Sequence, residues 1–147
     1  VDDLVLSFGA GADPIVAVFD GATGALTRAF LAFPNFYKGG VNVAVGDLNR
    51  DGFAEIVVSP EAGVQSVVRV FDGATGAESA TFLALPAEYT GGVRLAVGDT
   101  NGDGFGDVVA ATASLFGFVT AFSGANLNDR IAAYQAFGVN VPGVNVA

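Results

Sequence analysis

Two stretches of this sequence carry oxygen-bearing side chains at positions one, three, five and nine of a nine-residue run, with glycine at position six. The first is Asp47-Leu48-Asn49-Arg50-Asp51-Gly52-Phe53-Ala54-Glu55, and the second is Asp99-Thr100-Asn101-Gly102-Asp103-Gly104-Phe105-Gly106-Asp107. A hard cation collects several oxygens at about 2.3–2.6 Å; alternate positions of a tightly curled loop point inward to supply them, and glycine permits the sharp turn. Asp47, Asn49, Asp51 and Glu55, with the carbonyl of Phe53, form one expected ligand set. Asp99, Asn101, Asp103 and Asp107, with the carbonyl of Phe105, form the other, and water completes each cage. Calcium is favoured over magnesium because the ligands are many and flexible, and over zinc because neither run offers nitrogen or sulfur ligands. An EF-hand loop would need glutamate at position twelve, where Val58 and Ala110 stand.

These runs sit inside a repeat. Phe19-Asp20-Gly21-Ala22-Thr23-Gly24-Ala25 recurs unchanged as Phe71 to Ala77, an offset of 52, and the same offset relates Gly39-Gly40-Val41 to Gly91-Gly92-Val93 and Asp47 to Asp99. A weaker third copy contains Phe122-Ser123-Gly124-Ala125, and Gly143-Val144-Asn145-Val146-Ala147 repeats Gly40 to Ala44. Within the middle unit, four short runs rich in valine, phenylalanine and leucine read as strands: Val41 to Gly46, Ala54 to Ser59, Val67 to Asp72 and Glu78 to Leu85. Asp72-Gly73 with Gly76 supplies a tight hairpin turn. Four-strand units at this period fit the blades of a β-propeller, whose small sheets pack on neighbours through both faces. The aromatic cluster Phe30, Phe33, Phe36 and Tyr37 reads as core or as interface.

Composition removes many other chemistries. With no Cys or His among 147 residues, disulfides, zinc fingers and histidine general-base catalysis are absent. A net charge of −9 opposes nucleic acid and anionic lipid. The 52% hydrophobic content is interrupted too often for a membrane span, so the apolar surplus is expected inside protein or between chains. Most clustered carboxylates lie in the two runs, so no enzymatic activity is expected.

The arrangement resembles the FG-GAP repeats of integrin-alpha-type β-propellers and their secreted bacterial relatives, strongly over the first two units and weakly after Ala113. The resemblance implies calcium at the ten residues named above, on loops joining the first two strands of each blade, in an extracellular setting. Full members carry more than three blades.

The expected organisation is a single all-β array: strands two to four of a split blade in 1–40, blades at 41–92 and 93–142, and a first strand at 143–147. Val1 stands where a unit would show Phe53, so Asp3 is the remnant of a position-nine carboxylate, in a processed chain or fragment. Three blades are too few to close a ring, since rings run from about four to eight. Closure in trans is therefore expected, with the last strand completing the first sheet of another copy in a ring or filament. The expected role is a secreted structural or adhesive subunit. The alternatives are a module recognising a glycan or protein, with Arg69 and Arg94 as candidate contacts, and a fragment of a larger propeller enzyme.

Overall fold

β-Branched and aromatic residues suit a half-buried pleated surface, and glycine at every break disfavours helix. The structure, a computed structural model that describes residues 2–114, 116–138 and 143–147, is all-β with no helix among those residues. Among the described residues, eleven strands form three antiparallel sheets. The first contains β1 (Leu4–Ser7), β2 (Ile15–Phe19) and β3 (Leu26–Leu31), in that order. The second contains β4 (Val41–Gly46), β5 (Glu55–Pro60), β6 (Val67–Phe71) and β7 (Glu78–Leu83). The third contains β8 (Val93–Gly98), β9 (Asp107–Thr112), β10 (Phe118–Phe122) and β11 (Arg130–Gln135). The described strands close neither a barrel nor a ring. The middle-unit strands match the expected runs to within two residues at every end.

Each sheet is an up-and-down ribbon, and the sheets pack on one another in chain order. The first meets the second through β1 against β4, and the second meets the third through β4 and β5 against β8. All six residues of β5 are buried, because neighbours cover both its faces. One core, with Val16, Val18, Phe33, Val41, Ile56, Val58 and Phe71, lies between the first two sheets. A second, with Val57, Val68, Val70, Val93, Val108 and Phe122, lies between the second and third.

The two joints share their geometry. Phe30 and Phe71 stand 4.7 Å apart at 50°, and one unit later Phe82 and Phe122 stand 4.7 Å apart at 51°. A tyrosine clamps each joint. The Tyr37 hydroxyl lies 2.8 Å from the Ala62 carbonyl and accepts the Ala62 N–H at 3.3 Å. The Tyr89 hydroxyl does the same with Ser114, donating at 2.9 Å and accepting at 3.1 Å. Of the expected aromatic cluster, Phe33 and Tyr37 are core, Phe30 packs on Phe71, and Phe36 projects at 81% exposure.

Gly143–Ala147 pairs with no strand among the described residues. Its Val144 is buried with Ala111 and Val119, and donates its N–H to the Thr112 carbonyl at 2.9 Å. Val41 makes the equivalent bond to Phe8 at 3.1 Å where the first sheet hands over to β4. Part of the 93–142 unit, at residues 115 and 139–142, lies outside the described residues.

Removing either clamp hydroxyl leaves main-chain groups at a packed joint without their partner, which costs about 1–3 kcal/mol. Tyr37→Phe and Tyr89→Phe are each expected to lower the unfolding free energy obtained from urea denaturation by that amount. A shift within error for both would mean that the hydroxyls contribute nothing to the joints.

Candidate metal centre

The first acidic run links β4 to β5 and the second links β8 to β9, so the equivalent hairpin of each four-stranded sheet carries one. Each loop is curled by its own side chains. Asp47 accepts the Arg50 N–H at 2.7 Å and the Gly52 N–H at 3.1 Å, one on each carboxylate oxygen. Asp99 accepts the Gly102 N–H at 2.7 Å and the Gly104 N–H at 2.9 Å in the same way. Asn49 accepts from the Asp51 N–H, and Asp51 from the Phe53 N–H, both at 2.8 Å. Asn101, Asp103 and Phe105 repeat these two bonds at 2.8 Å each. Position six needs glycine because its φ is positive, 88° at Gly52 and 85° at Gly104.

Position nine begins the second strand and is buried in both loops, with Glu55 3% and Asp107 0% exposed. Glu55 Oε2 accepts the Leu48 N–H at 2.7 Å. Asp107 Oδ2 accepts from the Thr100 N–H at 2.9 Å and hydroxyl at 2.6 Å, while its Oδ1 accepts the Gly124 N–H at 3.2 Å. Asp3 occupies the corresponding place in the first sheet and accepts the Gly21 N–H at 3.2 Å. A position-nine carboxylate is thus tied to the far hairpin of its own sheet in the first and third units.

In the second unit that far hairpin contributes an acid instead. Asp51, Glu55 and Asp72 bring one carboxylate oxygen each within 4.8 Å of one another. The sequence alone marks Asp72 only as a turn residue. It is that as well, accepting from the Thr75 N–H at 2.6 Å and hydroxyl at 2.7 Å. The unbroken repeat of Phe-Asp-Gly-Ala-Thr-Gly-Ala is a sequence signal for a role beyond turning, weakened because Ser123 stands at this place in the third unit.

The donor set suits a hard divalent cation, being oxygen alone and rich in carboxylate. The Asn49 amide bridges Asp51 and Glu55, donating to each at 3.0 Å, and so places partial positive charge between two acids. Asn101 donates to Asp103 likewise at 3.0 Å. The Phe53 and Phe105 N–H groups are engaged as described, which fixes position seven in both loops. Burial pushes the Glu55 carboxyl above its ordinary value of 4.5, and the charges of Asp51, Asp47 and Asp72 act in the same direction. At Asp99 burial opposes ionisation, yet the surrounding main-chain N–H groups hold the carboxyl below its ordinary 3.8. Hydrogen bonds from the Thr75 main chain and hydroxyl hold Asp72 below 3.8 as well.

No protein-family model matches the chain, and no curated protein matches it.

The opposing shifts give the metal-free protein a defined pH response. A carboxyl whose folded pKa is raised binds protons more readily when folded, so stability increases as pH falls through the folded value of Glu55. The lowered carboxyls of Asp20, Asp72, Glu78 and Asp99 stabilise the fold above their unfolded values, and that contribution is lost as pH falls through their folded ones. Thermal melts in chelator, from about pH 7 to about pH 3, are expected to pass through a maximum in the mildly acidic range. Glu55→Gln is expected to flatten the neutral side; the same rise persisting in that variant would refute the assignment.

Proposed function

We propose that this chain is a calcium-binding structural or adhesive repeat protein of FG-GAP type, in which the three sheets are propeller-like blades. The observation that carries the reading is the repetition, 52 residues apart, of a loop whose first carboxylate accepts the N–H groups of positions four and six on separate oxygens. Asp47, Asn49, Asp51 and Glu55, and Asp99, Asn101, Asp103 and Asp107, hold the cation by side-chain oxygens, while Phe53 and Phe105 supply carbonyls. Calcium relieves the repulsion among crowded acids and so stiffens the hairpin at one end of each four-stranded sheet. At calcium about 100-fold above Kd, each site adds about 2.7 kcal/mol to stability. Millimolar extracellular calcium suits the weak affinity typical of extracellular modules.

Head-to-tail assembly belongs to the same reading. β1 is an edge strand, and Leu4, Leu6 and Phe8 are each about half exposed, at 55%, 47% and 52%. The segment Gly143–Ala147 has the same sequence as Gly40–Ala44, the start of the strand that pairs with β5. Transferring the β4–β5 register by one unit sets Val144 opposite Phe8, Asn145 opposite Ser7, Val146 opposite Leu6 and Ala147 opposite Val5 of a second copy. Unpaired edges of this kind accept an added strand readily.

Ligand recognition finds support in apolar clefts beside the two tyrosine clamps, one of about 390 Å³ bordered by Pro86, Tyr89, Phe116 and Phe118. Arg69 and Arg94, the candidate contacts, are already engaged. Arg69 is held by Glu78 and by the Ala32 carbonyl, and Arg94 donates to the Val144 carbonyl at 3.3 Å.

Calorimetry on the full chain is expected to register two calcium ions, one lost in Asp51→Ala and the other in Asp103→Ala. No calcium-dependent heat would overturn the reading. Light scattering in calcium is expected to show assemblies that Val146→Lys disperses. Monodisperse monomers of the unsubstituted chain would remove the head-to-tail part.

A further inference from the structure

The two loops touch, and one side chain reaches from the first to the second. Arg50 has φ of +65°, and no other non-glycine residue among those described has a positive φ. Its counterpart one unit later is Gly102, with φ of +80°. A left-handed backbone is disfavoured for a residue with a Cβ, so something must hold Arg50 there. Its main-chain N–H donates to Asp47 Oδ1 at 2.7 Å, within the first loop. Its guanidinium crosses to the second loop, where Nη2 donates to the Asp103 main-chain carbonyl and the group lies 4.1 Å from the Phe105 ring centroid. Arg50 therefore joins position one of the first loop to positions five and seven of the second. A main-chain bond runs alongside, from the Gly106 N–H to the Asp47 carbonyl at 3.0 Å.

We propose that Arg50 is a positioning residue that couples the two loops, so that filling the first orders the second. The inference rests on the calcium reading above. A cation drawn onto Asp47 fixes the carboxylate that holds the Arg50 backbone. The Arg50 side chain then restrains the second-loop main chain where Asp103 and Phe105 present their oxygens. Coupling between two binding sites is reciprocal, so filling the second loop tightens the first by the same factor.

The test compares calcium affinity at the second loop, by calorimetry, in the full chain and in a chain whose first loop is disabled by Asp47→Asn with Asp51→Asn. Each is measured with Arg50 and with Arg50→Gly, which keeps the left-handed backbone and removes only the side chain. The expected result is a gain of about fivefold or more from an intact first loop, falling below about twofold with Arg50→Gly. An undiminished gain in Arg50→Gly, or no gain in the unsubstituted chain while both loops bind, would overturn the proposal. Hydrogen exchange in chelator reads the strut without metal. The Gly102, Gly104 and Phe105 amides are expected to exchange faster in Arg50→Gly, and unchanged rates would overturn it. Absence of calcium uptake with faster exchange would sink the calcium reading and the coupling built on it, leaving Arg50 a strut between the loops.

Discussion

A sheet of three or four short strands with apolar residues on both faces cannot bury itself; it needs a layer on either side. The rest of this structure follows from that requirement. β5 is buried along its full length because sheets lie on both sides of it. Among the described residues the first sheet has a neighbouring sheet on one face only, and β1 alternates between exposed and half-buried positions accordingly. Stacking in chain order satisfies each sheet with the next and brings equivalent hairpins together at one end. That is how two acidic loops far apart in sequence come to share contacts.

The acidic loops oppose the folding that positions them. Burying Glu55 near Asp47, Asp51 and Asp72 concentrates negative charge at the start of a fully covered strand. Main-chain N–H groups and the Asn49 amide offset part of this, as dipoles do at any anion site, but they carry no full charge. The loop holds its curled form with local bonds while retaining an electrostatic reason to take up a cation.

Most of the fold was legible in the sequence because the repeat exposes it: two near-identical units give the same strands twice, and turn glycines mark their ends. The loops were legible for a related reason, since alternate oxygens with glycine at position six form a local pattern that needs no tertiary knowledge. Asp72 was not, because its approach to Asp51 and Glu55 depends on how the far hairpin folds over β5, and its own capping bonds to Thr75 accounted for it fully. Arg50 was hidden for the same reason. Its sequence neighbours give it a place in one loop, while its contacts lie in the next.

The tyrosine clamps carry a mechanical consequence. Each fastens the end of one unit to a loop of the next through both a donated and an accepted bond, so a pull along the chain loads the joint and the strand ladder together. Under tension the two latched joints share the load with the sheets on either side, and parting either one breaks the donated and the accepted bond together.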